Sequence, residues 1–435
     1  MFFSKNRFVN KKILIYGFGR TGLSSYLFLK KNNSVFIYDD KKSNKLFIKR
    51  NDFNKIDFDF IVISPGIDIK KCHLKKFLKN KNKKIVTDLD IFYSHYSKNK
   101  NITITGTNGK STTAKILYDI LKSRKLDVRL TGNIGNPILS EKQIKAKTIF
   151  VIEASSYQID YSKNFKANFA SILNITPDHL DRHGSFSNYI KIKLKLIKNQ
   201  KKNNYLFLNF ENKNIKKSIK KIKLRSKIIK VNTKSINKYL PYIKNRYFLT
   251  EGNKENLSFI LAIIKKLRIK KNYLFKVINN FKELKFRQEI IFKSKKFILI
   301  NDSKATSFSS SINVLKSLNY VYWLLGGIPK KGDKFIMLKK DCKNFKAYIF
   351  GKNKIFFNKE LKNKMTFSNF NDLETALRKV IIDVKISKEV KEVKTILFSP
   401  SAASFDTFKN FEDRGEQFNK LIKKLKLKKI INARH

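Results

Sequence analysis

ITITGTNGKSTT, residues Ile102 to Thr113, joins an apolar β-type run to a segment that begins like a helix. The run stops at Gly106. Thr107, Asn108 and Gly109 then make a short loop, and Lys110, Ser111 and Thr112 fall where the first helical turn starts. Backbone N–H groups at such a junction converge on one point, and the helix dipole adds partial positive charge there. A lysine in the first turn reaches the outer phosphates of a nucleotide, and the serine after it can place its hydroxyl on Mg²⁺. The general pattern GxxxxGK[ST] wants glycine where this chain has Ile104, so the loop is a variant whose glycine is Gly106. The flanking strand and helix signals favour a phosphate cradle over an ordinary turn.

Working outward, Thr148 to Ile152 reads as a strand that delivers Glu153, and Ala170 to Ile175 as one that ends in TPDHLDRH, with His179 inside it. Ligands of an open α/β sheet gather beyond the carboxyl ends of its strands, so Glu153 and His179 are expected in the crevice that Lys110 faces. A carboxylate and an imidazole there could hold Mg²⁺ and its waters.

Upstream, Lys12 to Tyr16 is an apolar run that ends in GFGRTG, and Val35 to Tyr38 is a second run that closes on Asp39 and Asp40. This is a dinucleotide-type fingerprint, and NAD or another nucleotide diphosphate would suit it equally. Further strands are expected at Phe58 to Ser64 and Lys84 to Thr87, and the polar SKNKN stretch closes the unit at Ser97. Past the cradle, Lys191 to Asn253 is Lys-rich, with strands near Tyr205 to Leu208 and Ile228 to Val231. NKENLSFILAIIKKL, from Asn253, has helical periodicity with a core-facing apolar side. After FKELKFRQE, strands at Phe297 to Ile300, Tyr320 to Leu325, Ala347 to Phe350 and Thr395 to Phe398 each run into a polar or Gly-rich loop.

Alternating strands and helices predict an α/β protein with mostly parallel sheets. At ~100–200 residues per domain, the 435-residue chain suggests three domains. They are expected at 1–97 (Rossmann-like), 98–285 (a central P-loop-type ATPase domain) and 286–435 (a second Rossmann-like domain).

No apolar run is long enough to cross a bilayer, and MFFSKNRFVNKK lacks a signal-peptide apolar core, so a cytoplasmic protein without membrane insertion is expected. Cys72 and Cys342 are isolated from any metal-ligand spacing. The net charge of +63 could suggest nucleic-acid binding. The lysines are spread over the whole chain, however, with abundant Asn, Ile, Phe and Tyr and few Ala, Gly or Pro, which reads as compositional drift on tolerant surfaces. A basic nucleic-acid-binding NTPase is therefore the weaker alternative.

TGTNGKST, GNIG at Gly132, EASSYQ at Glu153, LNITPDHLDRH at Leu173, NDSKAT at Asn301 and SPSAASFDTFKNFEDRG at Ser399 occur in one order along nearly the whole chain. In that order they resemble the Mur ligase family, in which the displaced cradle glycine is usual. The resemblance implies an ATP-dependent ligase that phosphorylates a substrate carboxylate and lets an amine attack the acyl phosphate. ASFDTFKNFEDRG is similar to the members that add D-glutamate to UDP-N-acetylmuramoyl-L-alanine. Another Mur ligase or a folylpolyglutamate synthase-like enzyme is the nearest alternative, though the folate enzyme lacks the short first domain.

The resemblance implies several roles. Gly106 through Thr112, with Lys110 central, would hold ATP. Ser111, Glu153 and His179 would bind two Mg²⁺ ions, together with Lys193 if CO₂ has carbamylated it; Lys191 and Lys195 compete for that register. Gly19, Arg20 and Thr21 would lie near the substrate pyrophosphate, Asp39 near the uracil, and Asn133 and Ser156 against the muramoyl peptide. Arg287 would reach the γ-phosphate, and Asp302 and Asn253 would contact the nucleotide. Lys304, Thr306, Lys330, Ser404 and Phe411 would surround D-glutamate, with Lys331 competing with Lys330. A monomer is expected. The chain departs from the family pattern at EGNKEN, where Gly252 replaces a His, and at Phe286, which replaces the His before Arg287.

Overall fold

A computed structural model describes residues 7–43, 45–386 and 392–432. The chain forms two compact units, one of Met1–Ile175, Ser187–Ser235 and Asn256–Val277, the other of Thr176–Phe186, Ile236–Glu255 and Ile278–His435.

The first unit contains two sheets. Strands β1 (Lys12–Tyr16), β2 (Ser34–Tyr38), β3 (Phe60–Ile63) and β4 (Ile85–Val86) form a four-stranded sheet in the order β2-β1-β3-β4, with every pair parallel. β1 is buried on both faces after its first residue, as expected of a central parallel strand with helices on either side. Leu14, Tyr16, Ile61 and Ile63 form one core there with Phe53, Phe58 and Leu74.

The second sheet is built from β5 (Asn101–Thr105), β6 (Val128–Gly132), β7 (Ile149–Glu153), β8 (Phe169–Ile172), β9 (Tyr205–Asn209) and β10 (Lys227–Val231). Its order is β10-β9-β8-β5-β7-β6, again all parallel. The chain leaves β5 toward one edge and later returns to lay β8 on the other side, so the strand order reverses at β5. This reversal is where a doubly wound sheet opens a crevice for ligand. The loop that the sequence singles out sits at that point.

The second unit contains β11 (Glu289–Lys293), β12 (Phe297–Asn301), β13 (Tyr320–Gly326), β14 (Phe345–Phe350), β15 (Thr366–Phe370) and β16 (Lys394–Phe398), in the order β11-β12-β16-β13-β14-β15. Only β11 is antiparallel to its neighbour. Placing β16 between β12 and β13 brings three carboxyl ends side by side. No described helix is long and apolar enough to cross a membrane.

The two sheets of the first unit are joined through Asp90, on helix Asp88–Tyr96. Its Oδ2 accepts Thr87 N and Oγ1 at 3.0 and 3.2 Å. Its Oδ1 accepts Ser162 Oγ and the backbone N–H groups of Lys163, Asn164 and Phe165 at 2.7–3.1 Å. Removing a buried carboxylate leaves all these donors without it, and hydrogen bonds to charged groups are each worth ~1.5–3 kcal/mol. Asp90→Ala is expected to lower stability by about 3 kcal/mol in urea unfolding. A change under about 0.5 kcal/mol would show that the loop is held by other means.

Candidate functional site

Helix Lys110–Ser123 starts at Gly109, which has φ +82°. A Cβ on Gly109 would lie 2.0 Å from Asn256 Oδ1, so both the conformation and the space require glycine. Asn174, just past β8, pins the loop from the other side. Its carbonyl accepts Thr107 N at 2.9 Å, its Oδ1 accepts Asn108 N at 2.9 Å and its Nδ2 donates to Asn108 O at 3.3 Å. The strand predicted to run to Ile175 therefore ends at Ile172, because the residues after it are used to hold the cradle.

Two lysines converge on this loop. Lys110 Nζ donates to Gly106 O at 2.9 Å and Thr107 O at 2.7 Å. Lys193 Nζ donates to the same Gly106 carbonyl at 2.8 Å and lies 4.6 Å from the centre of the Tyr189 ring. Lys193 is 1% exposed, whereas Lys191 and Lys195 are exposed and Lys195 pairs with Asp160.

Glu153 ends β7, in register with Ile104 of β5. Its Oε1 accepts Asn133 Nδ2 at 2.9 Å, while its buried Oε2 has no hydrogen-bond partner among the described residues. Asn133 is aimed by Gly132, which has φ +103° and whose Cβ would lie 2.3 Å from Glu153 O. A buried carboxylate oxygen without a donor is costly, and a cation would satisfy it. This oxygen is a donor that suits Mg²⁺, although no cluster of three or more His, Cys, Asp or Glu side chains is found among the described residues. Ser156 is buried at the start of helix Ser156–Tyr161, and Ser111 and Thr112 lie in the first turn after the cradle.

A separate cavity of about 600 Å³ in the first unit is lined by Gly17, Gly19, Arg20, Thr21, Asp39, Asp40, Gly132 and Asn133, with Tyr157 on its wall. Arg20 Nη2 donates to Gly135 O at 3.3 Å, joining the loop after β1 to the loop after β6. Both Asp39 oxygens are engaged by backbone, accepting Phe18 N at 2.6 Å, Lys41 N at 2.9 Å and Lys42 N at 3.1 Å. Burial pushes the Asp39 carboxyl up, but these donors outweigh it and hold the group below the usual carboxylate range. Asp40 accepts Tyr16 OH at 2.6 Å and faces His73 at 3.5 Å.

In the second unit, His179 adopts φ +53°. Its backbone N–H donates to Asp178 Oδ1 at 3.0 Å and its Nε2 lies 3.4 Å from Asp178 Oδ2. Asp178 also forms an ion pair with Lys330, whose Nζ donates to Thr306 Oγ1 at 3.0 Å. Asp178 was visible only as part of a motif, because nothing in spacing shows a carboxylate bridging two distant loops.

Arg287, Lys304 and Phe411 also come together, with Lys304 Nζ 3.8 Å and the Arg287 guanidinium 5.6 Å from the Phe411 ring centre. Ser404 is buried. Asn253 donates to Tyr247 O at 2.7 Å. Phe286, with φ +61°, is buried against Gly415, where a Cβ would come within 2.3 Å of its ring. A buried aromatic thus fills this position.

Residues 104–279 match the profile described as the Mur ligase middle domain. The UDP-N-acetylmuramoylalanine--D-glutamate ligase of Rickettsia felis is 37% identical over 450 residues, covering 96% of this chain and 98% of that protein. The chain belongs to the Mur ligase family. The Rickettsia prowazekii protein of the same name is 35% identical, covering 96% and 99%. Among solved structures, the MurF ligase of Thermotoga maritima in complex with ADP superimposes with a TM-score of 0.57 at 14% identity over 100% of this chain and 98% of that one, which shows the shared fold.

Asp302 is fully buried, accepting Gln288 N at 3.0 Å and Ser399 Oγ at 2.9 Å. Burial raises its pKa to about 7, against the opposing effect of those donors. Because the folded pKa lies above the ordinary carboxylate value, the protonated form favours folding. Stability from this group is greatest below about pH 4, falls as pH rises and levels off above about pH 7. Asp302→Asn is expected to flatten the urea-midpoint profile of the wild-type protein between those limits. Superimposable profiles would refute the assignment.

Proposed function

We infer that this family member is an ATP-dependent ligase that adds D-glutamate to UDP-N-acetylmuramoyl-L-alanine in peptidoglycan precursor synthesis. The near-full-length identity to D-glutamate ligases of that name supports the substrate pair. The observation that carries the chemistry is the phosphate cradle at the reversal point of the second sheet, with the uncommitted oxygen of Glu153 on the adjacent strand.

A carboxylate oxygen is a poor leaving group and phosphate a good one, so ATP is used to convert the substrate carboxylate into an acyl phosphate. Lys110 and the N–H groups of the cradle would grip the ATP phosphates and offset the charge that grows on the transferring phosphoryl group. Ser111, Glu153 and carbamylated Lys193 would hold Mg²⁺, two ions in all, and the ions neutralise phosphate charge when bound. Burial of Lys193 supports its choice over Lys191 and Lys195, because carbamylation turns a costly buried ammonium into an anionic ligand. The metal role of His179 rests on its place after β8 and on the resemblance.

The 600 Å³ cavity suits the UDP end of the acceptor, with Arg20 and Thr21 toward the pyrophosphate and Asn133 toward the peptide; Ser156 is assigned to the peptide by the resemblance. Asp39 shapes that cavity through its backbone contacts. Asp302 and Asn253 are assigned to ATP, and Arg287 to its γ-phosphate. Lys304, Thr306, Lys330, Ser404 and Phe411 would receive D-glutamate, the two cations pairing with its carboxylates. Residues 1–97, 98–285 and 286–435 are the corresponding domains. Since one chain supplies every assigned group, a cytoplasmic monomer suffices.

ADP release measured with each candidate amino acid tests the substrate: D-glutamate should give turnover, and turnover with another amino acid but none with D-glutamate would overturn the reading. Lys110→Ala should lower kcat at least about a hundredfold. UDP-substrate affinity measured by calorimetry should stay within about threefold (about 0.6 kcal/mol). An equal loss of both would refute the division of labour.

A further inference from the structure

Arg414 is the largest charged side chain of the second unit to be fully buried, at 0% exposure. Asp406 and Asp302 lie near enough to favour its charge, but among the described residues neither reaches ion-pair distance. Its guanidinium bonds instead to the ends of three strands. Nε donates to Ser303 Oγ at 3.1 Å, Nη2 to Ser303 O at 2.8 Å and to Ala402 O at 3.0 Å, and Nη1 to Gly326 O at 3.5 Å. Ser303 Oγ in turn donates to Phe411 O at 2.9 Å.

These carbonyls lie at the last residue of β13 and in the loops that follow β12 and β16, whose carboxyl ends the strand order sets side by side. Each loop carries part of the proposed amino-acid pocket. Lys304 follows Ser303 directly and Thr306 is close behind, Lys330 lies on the loop that Gly326 opens, Ser404 lies just beyond Ala402, and Phe411 is one helical turn before Arg414. The loops are remote in sequence, so their mutual spacing depends on contacts such as these.

A buried ion pair or cation is a poor way to gain stability, since apolar replacements of similar volume are often neutral or stabilising. A planar fork with five donors is, however, well suited to holding several carbonyls at fixed spacing, and an ammonium cannot reproduce that geometry. We propose that Arg414 is the positioning residue of the D-glutamate pocket, fastening the three strand-end loops so that Lys304, Thr306, Lys330 and Ser404 meet one small dicarboxylate. This rests on the function inferred above. Arg414 itself does not touch substrate. A displacement of about 1 Å in such a pocket can cost about a hundredfold in rate.

The test compares Arg414→Lys and Ser303→Ala with the wild-type enzyme, reading KM for D-glutamate, KM for ATP, kcat, UDP-substrate affinity and melting temperature. Arg414→Lys should raise KM for D-glutamate about tenfold or more, with the ATP and UDP-substrate values within about twofold. Ser303→Ala, which removes one guanidinium partner while keeping the charge, should shift KM for D-glutamate in the same direction by about threefold. Should Arg414→Lys not fold, Ser303→Ala decides alone. Unchanged KM for D-glutamate, or equal changes for all three substrates, would overturn the proposal. A wild-type enzyme inactive with D-glutamate would instead overturn the functional reading, so the two failures are distinguishable.

Discussion

Two ammonium groups, those of Lys110 and Lys193, donate to the single carbonyl oxygen of Gly106, beside the positive end of a 14-residue helix. At an effective dielectric of ~20, like charges a few ångströms apart repel by several kcal/mol, and burial of Lys193 limits screening. Negative charge close by lowers that cost. Under the proposed function a nucleotide phosphate would supply it from outside, and conversion of one amine to a carbamate would supply it from within. The cradle and the strand reversal at β5 place that positive potential where phosphate would arrive, while the Glu153 carboxylate on the adjacent strand offsets part of it.

The same solution recurs in the second unit with different parts. There Lys304 and Arg287 gather on the Phe411 ring, and Lys330 pairs with Asp178. Charge in this protein is thus treated in two ways. Most of the 96 lysines and arginines lie at the surface, where exchange costs little. Among the described residues only Lys193, Lys394 and Arg414 are buried, two of them at strand-end loops.

Strands made of contiguous apolar residues, such as those around Leu14, Ile104, Trp323 and Ile396, were legible because burial on both faces leaves no alternation to misread. Three strands were not. VRLTG of β6 is broken by Arg129, which pairs with Asp127 and Glu141. EIIFK of β11 is an antiparallel edge strand with a register shift between Ile290 and Phe292. TFSNF of β15 is a half-exposed edge, where polar residues are allowed. The site loops were legible as motifs, but the partners of their side chains were not. That Asp39 is committed to backbone, that Lys193 is the buried member of its run and that Arg414 reaches three loops are all facts of tertiary packing.

Asp90 and the Arg20 contact to Gly135 have a consequence for how the large cavity meets its ligand. Its walls come from both sheets of the first unit, and these groups hold the walls in register. The ordering entropy is borne by folding, so an incoming ligand need not assemble its own binding site. Its encounter is then governed by diffusion and by the field of a strongly cationic surface, which draws a polyanion inward from beyond contact range and does so less effectively as ionic strength rises.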